Sequence, residues 1–249
     1  FARTADDIAD EGQADADARL ADLRAYRAEL LRAAAGQPAA PRWARVFGPL
    51  GAAIARHRLP LPLLEALLDA FEQDLVKTRY ADRAELLDYC RRSANPVGRL
   101  LLHLYGLTDP LALRRSDAIC ASLQLINFWQ DMSRDGPAGR VYAPAQDLAR
   151  HGLAADAVQA CQDSPAARAL IRQLCTWAEA LMREGAPLVH QIPGRAGWEL
   201  RLVVQGGLRI LEKIQTMEYA TLLQRPRITV LDLPLLAGRA LRMRSEGTA

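Results

Sequence analysis

Residues 117–135 read DAICASLQLINFWQDMSRD and form the most informative stretch of the sequence. No charged side chain occurs from 118 to 130, and apolar residues recur every three or four positions, as on a helix that is packed on most sides. Gly136, Pro137 and Gly139 follow directly and end the pattern. The stretch therefore predicts a long helix in the interior of a helical bundle.

The composition of the whole chain favours the same fold class. The 249 residues include 45 Ala and 40 Leu, whereas Val and Ile together number 18, so good helix formers far outnumber β-branched residues. Half of the residues are hydrophobic, 24% are charged and the net charge is +3, which is typical of a globular protein rather than a disordered or nucleic-acid-binding one. We therefore predict an all-α protein.

Six further segments have helical periodicity, namely 3–35, 43–57, 63–76, 85–104, 166–185 and 196–223. Asn95-Pro96 interrupts one of them and predicts a kink or a break, because proline removes a donor and clashes with the preceding turn. No internal repeat or low-complexity linker divides the chain, so we expect one helical domain over residues 1–249. Since the sequence opens within a helical pattern and without Met, we expect an N-terminal part to be missing.

Cysteine usage and hydropathy indicate where the protein works. No segment reaches the ~18 apolar residues that a transmembrane helix requires. The four cysteines include no C-x-x-C pair, which favours reduced thiols in a cytoplasmic protein over disulfides or a zinc site.

We expect no nucleic-acid partner and no obligate protein partner.

The segment DDIAD (residues 6–10) contains the first candidate site. Asp6 and Asp10 lie one helical turn apart, with Cβ atoms about 5–6 Å from each other, so that they can share a divalent cation. A solvated acidic face, to which Asp7 also belongs, is the alternative interpretation.

A second pair, Asp131 and Asp135, continues the buried helix. Asn127, Asp131 and Asp135 follow at intervals of four, and Gln124 lies on the adjoining turn, so these four residues form one polar seam. Buried carboxylates need cations, arginines or water as partners. Their hard oxygen atoms suit Mg²⁺, which usually shares the phosphate oxygens of a substrate.

Two Asp-x-x-x-Asp pairs on separate helices can hold a diphosphate and promote its departure, which indicates isoprenoid diphosphate chemistry. The chain resembles the squalene/phytoene synthase family in four segments, FARTADDIADEG (1–12), YADRAELLDYCRRSANPVGRLLLHLYG (80–106), NFWQDMSRDGPAGRVYAP (127–144) and VVQGGLRILEKI (203–214). This resemblance implies an all-α isoprenoid-synthase bundle with a central active-site cavity.

The resemblance also implies roles for single residues. The magnesium ligands would be Asp6, Asp10, Asn127, Asp131 and Asp135, of which the four aspartates are also catalytic. The substrate-binding residues would be Arg3, Gln124, Asn127, Gln130 and Arg140. For Arg3 and Arg140, surface salt bridges are the alternative. Tyr89 would be catalytic, stabilising a carbocation or positioning water, and its alternative is a core aromatic residue.

Two features resemble the hydroxysqualene-forming branch of the family. Gln130 precedes Asp131 where squalene and phytoene synthases generally have Arg, and Asn95-Pro96 replaces a glycine common in squalene synthases. The resemblance therefore implies conversion of presqualene diphosphate to hydroxysqualene, as in hopanoid biosynthesis, with Mg²⁺ and without NADPH.

Three alternatives stay open at this stage. A condensing enzyme would make presqualene diphosphate, squalene or phytoene with the same acidic pairs. A non-catalytic assembly factor could share the fold, although such relatives have lost acidic motifs, and a helical scaffold could carry the acids incidentally. A lipid substrate also makes peripheral contact with the inner face of the cell membrane an expectation.

Overall fold

The structure is a computed structural model that describes residues 1–10 and 15–243. In these ranges the chain forms helices joined by short loops, and its β structure is one isolated bridge between Arg79 and Val141. The prediction of an all-α fold is confirmed. The helices are α1 (Ala2–Asp10), α2 (Ala16–Ala34), α3 (Ala44–His57), α4 (Leu61–Asp74), α5 (Arg83–Ser93), α6 (Asn95–Leu104), α7 (Pro110–Gln130), α8 (Met132–Asp135), α9 (Ala145–Arg150), α10 (Ala155–Gln159), α11 (Pro165–Gly185), α12 (Gly194–Thr216) and α13 (Leu233–Arg242).

The helices fall into two compact units. The first contains Phe1–Lys77 and Arg91–Thr108, and the second contains Thr78–Cys90 and Asp109–Ala249. The expectation of one helical domain stays a prediction.

Aliphatic and aromatic side chains form the core of the first unit. The ring of Tyr26 on α2 lies 4.6 Å from that of Phe47 on α3 and 5.6 Å from that of Phe1. The Tyr26 hydroxyl donates to the Phe1 carbonyl at 3.0 Å. Burial raises the pKa of Tyr26 to about 12, although a hydrogen bond with Thr4 partly opposes this shift. The start of the chain is thereby fixed against α2.

The second unit is built around α7, which packs against α11 and α12. The approach of α7 and α11 is close at Gly185, where a Cβ atom would lie 2.5 Å from the Arg115 carbonyl oxygen. A glycine is therefore required at this crossing. The Ser122 hydroxyl on α7 donates to the Ala178 carbonyl at 2.6 Å and adds a buried link between the same helices.

The predicted kink at Asn95-Pro96 is confirmed. Helix α5 ends at Ser93, Ala94 has φ −122° and ψ −49°, and α6 begins at Asn95 with Pro96 in its first turn. Proline is tolerated there because the first turn of a helix has no intrahelical acceptor for its missing N–H.

Two predicted helix boundaries are wrong. The segment 3–35 contains two helices, because the side chain of Asp15 caps a new helix by accepting from the Ala18 N–H at 2.8 Å. Helix α12 ends at Thr216 rather than 223, since Glu218 and Tyr219 adopt φ of 54° and 62°, left-handed conformations that end a helix. Short-range periodicity does not reveal either event.

Candidate active site

The second acidic pair lies where α7 gives way to α8. The Asp131 N–H donates to the Asn127 carbonyl at 2.9 Å, and the Asp135 N–H donates to the Asp131 carbonyl at 3.0 Å. These two backbone hydrogen bonds carry the helical spacing across the junction, although Asp131 itself has φ −99° and ψ 8°. The two carboxylates therefore stay one turn apart in the second unit, as the sequence predicts.

The polar seam is also present on α7. Gln124 and Asp131 are half-buried and Asn127 is exposed, whereas the intervening Leu125, Ile126, Phe128 and Trp129 are buried. These apolar side chains occupy other faces of α7, so the seam is more exposed than the positions between its members.

The loop after α8 brings Arg140 beside the second acidic pair. Asp135 and Arg140 line one small cavity of about 10 Å³, and the Arg140 N–H donates to the Asp135 carbonyl at 2.9 Å. The loop passes close to Val158 at Gly136, where a Cβ atom would lie 2.6 Å from the Val158 carbonyl oxygen. This approach is possible because glycine has no Cβ atom. A predicted metal ligand and a predicted diphosphate-binding residue are thus neighbours.

Asp131 also has a partner that the sequence does not reveal. The Nε of Arg225 donates to one carboxylate oxygen of Asp131, and Nη2 donates to the other at 3.2 Å. The side chains of Asp131 and Arg225 are 15% and 25% exposed, respectively. The pair joins residues 94 positions apart in sequence, and no local spacing marks it.

Gln130 contacts the same C-terminal segment. Its Nε2 donates to the carbonyl of Pro226 at 2.7 Å, so one N–H of the Gln130 amide is already used in a hydrogen bond within the protein. A substrate contact by Gln130 therefore stays a prediction.

Tyr89 lies in an aromatic cluster of the second unit. It is 4% exposed, and its ring centroid lies 5.6 Å from that of Tyr80 and 6.1 Å from that of Phe128. Phe128 in turn stacks on Tyr142 at 3.7 Å. This packing is the environment that the core-aromatic alternative expects, and the catalytic role of Tyr89 stays a prediction.

The first acidic motif lies on α1 in the first unit. Ala5 and Ala9 are buried at 0% and 5% exposure and place one face of α1 in the core. Asp6 and Asp10 each follow one of these alanines and therefore lie on the adjoining face, about 100° around the helix. As predicted, the two carboxylates share a face of one helix.

Arg3 forms ion pairs within α1. Its Nε lies 2.7 Å from a carboxylate oxygen of Asp7, and its Nη1 lies 3.5 Å from one of Asp6. The side chain is 75% exposed. Pairs of this type contribute little to stability, so Arg3 can exchange these partners for a phosphate at small cost.

The donor atoms of the second pair fit a hard divalent cation. Asp131 and Asp135 supply carboxylate oxygens and Asn127 supplies an amide oxygen, which are the ligand types that Mg²⁺ prefers. Over residues 1–10 and 15–243, no group of three or more His, Cys, Asp or Glu side chains is placed to hold a metal ion. Mg²⁺ commonly uses one or two carboxylates and completes its shell with water and substrate phosphate.

Comparison with known proteins places this chain in a family. The sequence model of squalene/phytoene synthase matches residues 1–232. The chain belongs to the squalene/phytoene synthase family. The match includes all four segments that carried the resemblance.

Individual members of the squalene/phytoene synthase family are similar over most of the chain. A hydroxysqualene synthase from Rhodopseudomonas palustris is 36% identical over 220 residues, covering 88% of this chain and 73% of that protein. A phytoene synthase from Thermus thermophilus is 32% identical over 219 residues, covering 88% and 73%. The crystal structure of a squalene synthase from Alicyclobacillus acidocaldarius superposes with a TM-score of 0.81 at 38% identity, covering 88% of this chain and 81% of that one.

Family membership leaves the residue roles as proposals. The structure keeps Asn127, Asp131 and Asp135 one helical turn apart in the second unit and places Arg140 beside Asp135. It places Asp6 and Asp10 on one helix of the first unit. That the two acidic pairs hold one diphosphate stays a prediction. No helix in the part of the chain that the structure describes is long and apolar enough to cross a membrane. All four cysteines are free.

Proposed function

We propose that the chain converts presqualene diphosphate to hydroxysqualene. The observation that carries this proposal is the 36% identity to a hydroxysqualene synthase over 88% of the chain. Gln130 supports it, because this neutral side chain occupies the position before Asp131 at which squalene and phytoene synthases generally have Arg. Family membership alone supports the coarser statement, that the chain is a prenyl diphosphate enzyme of the squalene/phytoene type.

The reaction balances with water as the second reactant. The bond between the substrate carbon and its diphosphate oxygen breaks, and the electron pair leaves with diphosphate. The cyclopropylcarbinyl cation rearranges, a water oxygen bonds to the resulting carbocation, and the water loses a proton to solvent. No reductant is consumed, so NADPH is not required.

Residues of the second unit would bind the diphosphate end of the substrate. Asp131, Asp135 and Asn127 would hold a divalent cation, and the guanidinium of Arg140 would donate to phosphate oxygens. A bound divalent cation supplies positive charge that stabilises the departing diphosphate. Asp6 and Asp10 would form the matching pair in the first unit.

Tyr89 and its neighbours would act on the hydrocarbon end. The aromatic rings of Tyr80, Tyr89 and Phe128 would offer negative π faces to a carbocation and would exclude bulk water from it. The Tyr89 hydroxyl would position the one water that captures the cation.

Peripheral contact with a membrane surface is proposed because the substrate is a lipid.

The experiment that tests the proposal uses presqualene diphosphate, Mg²⁺ and the purified chain, with and without NADPH. The expected product is hydroxysqualene in both reactions, identified by mass spectrometry, with one diphosphate released per alcohol. Squalene that forms only with NADPH would contradict the proposal.

A second candidate is a condensing enzyme, which the 32% identity to a phytoene synthase favours. Incubation with farnesyl or geranylgeranyl diphosphate distinguishes the two. Accumulation of presqualene diphosphate or phytoene would support condensation, whereas unchanged substrate together with turnover of presqualene diphosphate would exclude it.

A further inference from the structure

Gln130, the last residue of α7, and Asp131, which follows it, form hydrogen bonds with two consecutive residues of the segment between α12 and α13, Pro226 and Arg225. Asp131 accepts from both Nε and Nη2 of Arg225, and Gln130 donates to the carbonyl of Pro226 at 2.7 Å. All four residues belong to the second unit, and Pro226 is buried.

The paired arrangement fixes the guanidinium more firmly than a surface ion pair would. Pro226 restricts the backbone of Arg225 to extended conformations, because the proline ring clashes with a helical residue before it. Gln130 then anchors the carbonyl of Pro226 next to Asp131. Arg225 is therefore tethered on its C-terminal side and is directed at one carboxylate.

Both carboxylate oxygens of Asp131 accept from the guanidinium. An oxygen that accepts a charge-assisted hydrogen bond offers fewer lone pairs to a cation, and two positive groups at one carboxylate repel each other. A divalent cation at Asp131 therefore competes with Arg225 for this carboxylate.

We infer that Arg225 is a counter-cation that occupies Asp131 when no divalent cation is bound, and that Gln130 is the positioning residue that keeps it there. The pair satisfies a carboxylate that is 15% exposed and would be costly to leave unpaired. The inference rests on the metal role proposed above for Asp131. It gives Gln130 a role through the protein backbone rather than through the substrate.

The test measures Mn²⁺ binding to the protein alone by electron paramagnetic resonance, with no substrate present. Arg225→Gln removes the competing charge and should tighten Mn²⁺ binding about fivefold or more. Gln130→Met removes the donor at similar size and should tighten binding by a smaller factor in the same direction. General loosening of the fold would weaken binding, so tightening identifies the positioning role.

Matched controls separate these effects from net charge and from local disturbance. Arg227→Gln removes the same charge from an exposed side chain two residues away, and Gln224→Met makes the same replacement at an exposed glutamine. Both should bind Mn²⁺ within about twofold of wild type. Circular dichroism confirms that each variant is folded.

Two results would overturn the inference. One is Mn²⁺ binding by Arg225→Gln that is no tighter than that of wild type, including the case in which neither binds. The other is an equal gain in Arg227→Gln, which would indicate net charge alone. The metal role itself is tested separately by Asp131→Asn, which should lose Mn²⁺ binding, so failure of the proposed function and failure of this inference have different signatures.

Discussion

Replacement of Asp131 by Asn separates the chemistry of this residue from its part in the fold. Asn keeps the volume and one acceptor oxygen for Arg225, but it removes the charge and sets an amide NH₂ against Nη2, which lies 3.2 Å from the carboxylate oxygen in the native pair. Loss of one charge-assisted hydrogen bond in a half-buried site costs about 1–2 kcal/mol. For a chain of this size that lowers Tm by about 2–8 °C.

The loss of activity should be much larger than this loss of stability. Removing a proposed metal ligand should reduce diphosphate release from presqualene diphosphate by at least about 100-fold. Release is measured by a coupled colorimetric assay, and Tm is measured by differential scanning calorimetry. Helix content should stay unchanged by far-UV circular dichroism.

Asp163 offers a closely matched control. Its side chain is 16% exposed, and Arg168 binds both of its carboxylate oxygens, at 2.7 and 3.1 Å for the shortest contact to each. Asp163→Asn should therefore lower Tm by a similar amount and leave diphosphate release within about twofold of wild type. Turnover of Asp131→Asn at the rate of Asp163→Asn would refute the metal role of Asp131.

Four further variants test other parts of the second unit. Tyr89→Phe should slow turnover or change the product, while Tm falls by no more than a few degrees because only the hydroxyl is lost. Product analysis and calorimetry of the same variant check this prediction, and an unchanged product and rate would favour the core-aromatic role. Gly136→Ala should lower the free energy of unfolding, measured in urea, by about 1–3 kcal/mol, because its Cβ would lie 2.6 Å from the Val158 carbonyl oxygen. Gly238→Ala on α13 is the control: its Cβ would meet no atom within 4 Å, so the free energy of unfolding should stay the same or rise. Lys213, the Thr229 N–H and Arg209 hold the pKa of Asp232 well below its usual range, so Asp232→Asn should destabilise the protein at pH 7. The difference in free energy of unfolding between the variant and wild type should narrow as pH falls below about 4, because Asp232 of the unfolded chain becomes protonated there. An equal difference at pH 3 and pH 7 would contradict this prediction.

Features set by local sequence could be predicted well. The charge-free stretch before Asp131 predicts a buried helix because burial excludes unpaired charge, and Asn95-Pro96 predicts the kink because proline lacks an N–H. The spacing of Asp131 and Asp135 survives the junction of α7 and α8, because the backbone hydrogen bonds continue through it. Family resemblance then supplied Arg140, which the structure places beside Asp135.

Features set by distant contacts could not be predicted in this way. Arg225 reaches Asp131 across 94 residues, through a segment whose structure the periodicity left undecided. The end of α12 depends on the left-handed conformations of Glu218 and Tyr219, which neither residue type favours locally. The aromatic cluster around Tyr89 likewise joins Tyr80, Phe128 and Tyr142 from separate parts of the chain.

The most direct test of the central claim is the fate of water oxygen during turnover. Presqualene diphosphate is incubated with the chain and Mg²⁺ in ¹⁸O-labelled water, without NADPH, and the product is analysed by mass spectrometry. Water capture predicts hydroxysqualene that carries one ¹⁸O atom, at a rate that added NADPH does not change. An unlabelled hydrocarbon, or a product that forms only when NADPH is present, would contradict the assignment.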